Sequence, residues 1–323
     1  MRTLWREILL SLFMGMAVPA LLISYADMLL NRPEPEETAV TEMPAAEETV
    51  FSPMRLRQED GTVTEMDMDT YLVGVVLAEM PASFEEEALK AQAVVARTYA
   101  TKAYETGGKH GDGSVCTQAS CCQAYLPEAY YRNRGGTEDA VQKVSGAVMA
   151  TSGYVVTYKG ELIEATYFSC SGGRTEDAVA VWGTDYPYLR SVESPGEEAA
   201  AAYSDTVSFT PQQFQQMLGT ELSGSPDHWF GAATYTAGGG VNTLQIGAEI
   251  YTGVQLRSLL GLRSTAFSVS ATEEEIRLTT RGYGHRVGMS QYGADAMAVG
   301  GCSFEEILLW YYPGTEITRM DTT

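Results

Sequence analysis

The chain has 323 residues, and its 42 aspartates and glutamates outnumber its 21 lysines and arginines, which gives a formal net charge of −21 at pH 7. Proteins that bind nucleic acids place clustered basic residues against the phosphates, so this excess of acids excludes nucleic acid as the expected ligand. Hydrophobic residues make up 45% of the chain, which is sufficient for a packed core.

The N-terminal segment is long and apolar. Between Ile8 and Leu30 the only charged residue is Asp27, and Arg2 and Arg6 precede this stretch. It is long enough to cross about 30 Å of hydrocarbon, and the arginines favour the cytoplasmic side. We interpret residues 1–30 as a membrane anchor that leaves the rest of the chain on the extracytoplasmic side of the cell membrane. A cleaved signal peptide is the alternative.

Residues 31–50 contain three prolines and six glutamates but a single arginine. Such a composition buries no core, and its like charges repel each other, which is typical of an extended linker. The folded region is therefore predicted to span residues 51–323.

Two helices are predicted at the start of this region. The first runs from Asp69, a candidate N-cap, to the residues before Pro81, although its valines also suit a strand. The second begins with a capping box between Ser83 and Glu86. One apolar face of the second helix is predicted to consist of Phe84, Ala88, Ala91, Val95 and Thr98.

Short helices and strands are predicted further along the chain. Capping boxes start helices after Thr210, Thr252 and Ser303, and alternating patterns indicate strands at residues 266–270 and 275–280. Helices early and strands later predict an α+β fold with two lobes and a substrate groove between them.

Glu79 lies where the first predicted helix ends. The negative end of the helix dipole and the apolar neighbours Met80 and Pro81 both disfavour a charged carboxylate there. A carboxyl group that stays protonated near neutral pH suits a general acid for a glycosidic oxygen. Position alone favours an ordinary solvated helix end.

A glycine-rich stretch combines His110 with Cys116, Cys121 and Cys122. These residue types at this spacing suit Zn²⁺, and we expect only one of the two adjacent cysteines to bind it, which leaves the fourth position open. A disulfide is the alternative, but it leaves one of the five cysteines unpaired and His110 unexplained.

Two further segments are rich in small, polar and aromatic residues, at residues 167–175 and 281–294. Their glycines permit close backbone approach, and their arginine, glutamine and tyrosine side chains suit the hydroxyl groups and ring faces of sugars. Tight loops around β-strands are the alternative interpretation.

Four segments together resemble the stage II sporulation protein D family. They are YLVGVVLAEMP (residues 71–81), ALKAQAVVARTY (88–99), SGGRTE (171–176) and GHRVGMSQYGA (284–294). The resemblance implies a membrane-anchored lytic transglycosylase that cuts peptidoglycan glycan strands during sporulation engulfment. It also implies two partners, an amidase that strips stem peptides from the glycan and a membrane protein that recruits both enzymes.

The resemblance also assigns residues. It implies that Glu79 is catalytic and that His110, Cys116 and Cys122 hold a zinc ion, with Cys121 as an extra thiol. We interpret the ion as structural, because proton donation by Glu79 does not need a Lewis acid. We assign substrate contacts to Arg97, Tyr167, Gly172, Gly173, Arg174, His285, Gln291 and Tyr292. Two alternatives stay open: a non-catalytic wall binder that enhances a partner amidase, and a zinc-dependent wall amidase or peptidase.

Overall fold

The computed structural model describes residues 53–320 of the chain. The predicted anchor (residues 1–30) and the predicted linker (residues 31–50) both lie outside these residues. Within residues 53–320, no helix combines the length and the apolar character that crossing a membrane requires. The domain boundaries therefore stay predictions.

The described residues combine helices with short strands. The α-helices are α1 (Met68–Glu79), α2 (Glu86–Thr106), α3 (Glu128–Asn133), α4 (Glu138–Ala150), α5 (Ala178–Trp182), α6 (Pro211–Leu218), α7 (Gly253–Leu259), α8 (Gln291–Val299) and α9 (Phe304–Tyr311). The strands are β1 (Met54–Arg57), β2 (Val63–Met66), β3 (Val115–Cys116), β4 (Tyr154–Tyr158), β5 (Glu161–Leu162), β6 (Tyr167–Phe168), β7 (Ser204–Phe209), β8 (Phe230–Tyr235), β9 (Val241–Ile246), β10 (Glu249–Thr252), β11 (Phe267–Ala271), β12 (Ile276–Arg281), β13 (Met289–Ser290) and β14 (Glu316–Arg319).

The strands form several small sheets, so the predicted α+β class is confirmed. Their strand orders are β2-β1-β3, β14-β4-β5, β13-β6, β11-β12-β7 and β10-β9-β8. Most neighbours are antiparallel, but β6 pairs in parallel with β13, with Tyr167 opposite Met289 and Phe168 opposite Ser290. This parallel pair joins two segments that are far apart in sequence.

Helix α2 lies inside the larger of two hydrophobic cores and is buried on nearly every side. Its many alanines let α1, α4, α8, α9 and β4 pack closely around it. A helix surrounded in this way does not need a polar face. The predicted apolar face is buried throughout, but it is only part of the buried surface of this helix.

The predicted N-cap of α1 was wrong by two residues. The cap is Asp67, whose Oδ1 accepts a hydrogen bond from the Thr70 N–H at 2.8 Å. Asp69 lies in the first turn, where it pairs with Arg97 at 3.0 Å and accepts a hydrogen bond from Ser152. Both aspartates suit a cap by residue type. The partners that decide between them are distant in sequence.

The predicted capping box between Ser83 and Glu86 was also wrong. Helix α2 has Glu85 at its N-cap position, without a side-chain cap. The Glu85 N–H instead donates to Asp295 on α8 at 2.7 Å. The other predicted capping boxes are confirmed, and they join Thr210 to Gln213, Thr252 to Gln255 and Ser303 to Glu306.

A second hydrophobic core is formed by residues between β7 and β12. The rings of Phe214 and Trp229 stack in it at a centroid distance of 6.3 Å, and Leu256 and Leu278 are buried in the same cluster. The predicted pair of lobes stays a prediction, as does the groove between them.

A buried ion pair joins the turn between β8 and β9 to the segments of the first core. Arg286 Nη1 lies 3.1 Å from Glu176 Oε1, and both side chains are almost fully buried. Arg286 also donates to the Gly238 carbonyl, while Glu176 accepts from the Gly240 N–H. Arg286 makes these contacts from a left-handed backbone conformation, with φ of 65°, which is rare for a residue other than glycine.

Candidate active site and metal cluster

Glu79 is the last residue of α1, as the sequence predicted, and its side chain is half-buried. Its Oε1 accepts a hydrogen bond from the Ala124 N–H at 2.7 Å. Ala124 follows the cysteine-rich loop, so this loop and the helix end meet at the carboxyl group. The carboxyl group is thereby held in a defined orientation.

Burial raises the pKa of Glu79, and the hydrogen bonds from the Ala124 N–H, Tyr167 and Gln291, which lower it, do not compensate. Among the described residues, none of the groups that act on this pKa is another carboxylate. Desolvation disfavours the charged form of an acid. Glu79 therefore keeps its proton to a higher pH than an exposed glutamate does.

A chain of polar side chains leads to Glu79. The Tyr71 hydroxyl donates to Gln123 Oε1 at 2.9 Å, and Gln123 Nε2 donates to the Tyr167 hydroxyl oxygen at 3.1 Å. Burial raises the pKa of both tyrosines well above its ordinary value, so both stay neutral. Because the Tyr167 oxygen accepts from Gln123, its own proton is free to point toward Glu79.

Tyr167 was predicted from the sequence as a site residue, whereas Tyr71 and Gln123 were missed. A signal for Tyr71 was present, because it precedes Glu79 by eight residues and so lies on the same face of α1. Gln123 had no local signal beyond its place after the cysteines. Its role is visible only when both tyrosines are brought together.

The parallel pairing of β6 and β13 brings Tyr167 and Gln291 to the same place. Ser290 ends β13 and caps α8, and its Oγ accepts a hydrogen bond from the Gly293 N–H at 3.3 Å. Gln291 is therefore the first residue of a helix whose start is firmly placed. Its amide also donates to Gln92 of α2 at 3.3 Å.

A second glutamate, Glu197, is fully buried behind this arrangement. Its Oε2 accepts hydrogen bonds from the N–H and hydroxyl of Ser171, both at 2.8 Å, and from the Gly172 N–H at 2.9 Å. Its Oε1 accepts from the hydroxyls of Ser194 and Ser290. Glu197 thus ties the SGG segment to the start of α8, and no sequence motif pointed to it.

The cysteine-rich loop brings together four potential metal ligands. The ligand atoms of His110, Cys116, Cys121 and Cys122 all lie within 4.8 Å of one another. We expected only one of the two adjacent cysteines to bind the ion; both sulfurs lie in the cluster, and the binding of only one stays a prediction. All five cysteines of the chain are free thiols in the structure, which does not contain the disulfide considered as the alternative.

A family model described as Stage II sporulation protein matches residues 57–158, a range that contains both Glu79 and this cluster. Stage II sporulation protein D of Bacillus subtilis (strain 168) is 39% identical over 299 residues, which cover 89% of this chain and 87% of the relative. The chain belongs to the stage II sporulation protein D family. This is a family involved in sporulation.

Two further relatives describe the family more broadly. Stage II sporulation protein D of Bacillus amyloliquefaciens is 36% identical over 283 residues, which cover 86% of this chain and 82% of the relative. The amidase enhancer of Bacillus subtilis (strain 168) is 29% identical over 308 residues, which cover 76% of this chain and 40% of that relative. The chain is thus also similar to a protein that is named for its effect on an amidase.

Arg97 is the site prediction that the geometry of this family member contradicts. Its side chain is fully buried, and its guanidinium donates to the carbonyls of Val148, Thr151 and Tyr154 besides pairing with Asp69. A group enclosed in this way does not contact a polymer. Arg97 instead ties α1 and α2 to the end of α4 and the start of β4.

The glycines of the SGG segment serve packing. A Cβ on Gly172, whose φ is 73°, would lie 2.7 Å from the backbone carbon of Arg281. Gly173 also has a positive φ, of 109°. Arg174 differs from both because its side chain is exposed, where it pairs with Glu193 at 3.0 Å.

The predicted substrate residues His285 and Tyr292 are both partly buried. The His285 ring is 5.6 Å from Phe168 and 5.1 Å from Trp182, and burial, followed by the nearby charge of Arg257, lowers its pKa to about 4. His285 is therefore neutral at physiological pH. Tyr292 is half-buried and packs edge-on against Phe84, with ring centroids 5.0 Å apart.

Proposed function

We propose that this member of the stage II sporulation protein D family is a lytic transglycosylase that cleaves peptidoglycan glycan strands during engulfment, with Glu79 as general acid and base. The observation that carries the proposal is the raised pKa of Glu79, whose Oε1 is fixed by the Ala124 N–H. A protonated carboxyl group in a fixed orientation suits proton donation to a glycosidic oxygen.

One carboxyl group is sufficient for this reaction. The Glu79 proton passes to the glycosidic oxygen as the bond between that oxygen and C1 of the muramic sugar breaks. The C6 hydroxyl oxygen of the same sugar then bonds to C1, and its proton returns to the Glu79 carboxylate. The product has a 1,6-anhydro end and no water is consumed, whereas hydrolytic glycosidases generally require a second carboxylate.

Substrate contacts are proposed for the groups that lie beside Glu79, namely the Tyr167 hydroxyl and the Gln291 amide. The exposed Arg174 is a candidate for a more distant contact. Because the folded region is strongly acidic, binding to an anionic wall rests on hydrogen bonds, sugar-ring contacts and tethering rather than on charge attraction. A single-pass anchor on the cell membrane, a partner amidase and a recruiting membrane protein complete the proposal.

Zinc is the proposed ion for the cluster of His110, Cys116, Cys121 and Cys122, whose nitrogen and sulfur atoms are the ligands it prefers. When bound, it would cross-link the loop that leads to Ala124. Proton transfer from Glu79 does not require a Lewis acid.

A second candidate function is enhancement of an amidase without glycan cleavage. The similarity to the amidase enhancer over 76% of this chain favours it. In that function the same surface would hold glycan or the partner enzyme, and the protonation state of Glu79 would be irrelevant.

The test is to incubate the purified full chain with peptide-free glycan and to count 1,6-anhydro-muramic ends by mass spectrometry. We expect wild type and Glu105→Gln to produce them and Glu79→Gln to produce almost none. Glu105 is a suitable control because it also lies near a helix end but is exposed. No ends from wild type, or equal ends from Glu79→Gln, would refute the proposal. Release of stem peptides from intact peptidoglycan that a chelator abolishes and Glu79→Gln retains would favour a zinc-dependent amidase.

A further inference from the structure

We propose that a single metal ion is held here by four protein ligands, His110 and all three cysteines of the loop, so that Cys121 closes the site. From the sequence we predicted three protein ligands and an open fourth position. In this chain the ligand atoms of all four side chains instead lie within 4.8 Å of one another, close enough to surround one ion. The inference concerns the metal cluster alone and does not depend on glycan cleavage.

The distances between the ligand atoms carry this inference. A tetrahedral zinc ion, with bonds of about 2.3 Å to sulfur and about 2.05 Å to nitrogen, places two bound sulfurs about 3.8 Å apart and a sulfur and a nitrogen about 3.6 Å apart. The Sγ atoms of Cys121 and Cys122 are 3.8 Å apart. His110 Nε2 lies 3.5 Å from Cys122 Sγ and 3.8 Å from Cys121 Sγ.

The backbone explains how two adjacent cysteines reach one point. The N–H groups of Cys121 and Cys122 both donate to the Gln118 carbonyl, at 3.0 and 2.8 Å. This tight turn orients the two residues together. Lys109 Nζ donates to the Cys121 carbonyl and holds the same turn against the start of the loop.

Polar groups from outside the cluster lie beside two of the sulfurs. They are the Gln118 N–H beside Cys116 and the Tyr99 hydroxyl on α2 beside Cys122. Donors of this kind orient thiolate ligands and are typical of built metal sites. The loop is thus placed by α2 as well as by its own turn.

A site with four protein ligands has no position for water or substrate. The role of the ion is therefore structural. Cys122 is followed directly by Gln123 and Ala124, which contact the two tyrosines and Glu79. Closure by Cys121 also removes the open position that a zinc-dependent amidase would need.

The test is cobalt substitution in the purified full chain. Sulfur-to-cobalt charge-transfer absorption scales with the number of bound thiolates, so we expect it to fall by about one third in both Cys121→Ser and Cys122→Ser, since each removes one of three thiolates. Metal affinity should fall at least about tenfold in each. Cys302→Ser is the matched control, because this cysteine lies outside the cluster and should change neither value.

X-ray absorption on the wild-type zinc protein gives a second measurement that does not depend on a variant folding. We expect three sulfur neighbours and one nitrogen around the ion. Two sulfurs with a nitrogen and an oxygen would overturn the inference, as would an unchanged Cys121→Ser spectrum. A chain that takes up no metal, or that carries a disulfide between Cys121 and Cys122, would also overturn it.

Discussion

Two glutamates of the first core, Glu79 and Glu197, show how the same side chain is held for different purposes. Glu197 is fully buried and both of its carboxylate oxygens accept hydrogen bonds, from backbone N–H groups and serine hydroxyls. Glu79 is half-buried, accepts one backbone hydrogen bond and has a raised pKa. Many donors hold a buried carboxyl group in one position, whereas the burial of Glu79 with few donors favours its protonated form.

The two regions are also connected. Glu197 accepts from the Ser290 hydroxyl, and Ser290 caps the helix that begins with Gln291, a neighbour of Glu79. Glu197 therefore helps to position the groups around Glu79. Substitutions that separate the two roles test the comparison directly.

The largest effect is expected from Glu79→Gln. Loss of the general acid should reduce the yield of anhydro ends by about 10²- to 10⁴-fold. Since the pKa of Glu79 is raised in the folded state, its contribution to stability is present at low pH and is lost as the pH rises through that pKa. Thermal unfolding should therefore show the variant gaining stability relative to wild type between pH 4 and pH 8, and a stability difference that does not change with pH would contradict the comparison.

Glu197→Ala should instead act on stability. Leaving several buried donors without an acceptor costs about 1–3 kcal/mol for each, so we expect a loss of about 3 kcal/mol or more in the free energy of unfolding. Urea denaturation measures it. Ser194→Ala is the milder companion and should cost about 1 kcal/mol because it removes one donor. An unchanged urea midpoint for Glu197→Ala would show that the network is not structural.

His285 lies on the same side of the core and gives a pH-dependent effect. Because burial lowers its pKa from 6.5 to about 4, its contribution to stability is present above pH 6.5 and is lost as the pH falls toward 4. Wild type should lose about 1 kcal/mol per pH unit in this window through this group. His285→Asn should flatten the dependence, while His228→Asn, at an exposed position, should not. Equal slopes in all three proteins would refute the assignment.

The smallest effect is expected from Tyr167→Phe. It removes a hydrogen bond that lowers the pKa of Glu79, so the alkaline limb of the activity profile should move to higher pH. Loss of one hydrogen bond, about 1 kcal/mol, should reduce the maximal rate by less than about tenfold. Tyr71→Phe, which acts only through Gln123, should do less. If Tyr71→Phe reduced the rate more than Tyr167→Phe does, Tyr71 rather than Tyr167 would be the tyrosine that acts more directly on Glu79.

The sequence predicted those features that depend on residues close to one another in the chain. The capping boxes at Thr210, Thr252 and Ser303 formed as predicted because each satisfies backbone groups only three residues away. The helix that ends at Glu79 and the clustering of His110 with cysteines were predicted for similar reasons, namely dihedral preference and close ligand spacing.

The errors arose where a distant partner decides the outcome. Asp69 was taken for a cap because the Arg97 that binds it is 28 residues away, and Ser83 because Asp295 satisfies the helix start from a different helix. Arg97 was assigned to the substrate because a sequence does not show that backbone carbonyls enclose its guanidinium. Glu197 lay in no motif, and its donors come from three separate segments.

The parallel pair of β6 and β13 also determines when, during synthesis of the chain, the surroundings of Glu79 can form. Helix α1 and Glu79 are synthesised early, whereas Tyr167 finds its strand partner only after Met289 has been made. Non-local parallel pairings form late in folding because the intervening chain must first be ordered. A nascent chain therefore carries Glu79 long before the strand pair that surrounds its carboxyl group can form.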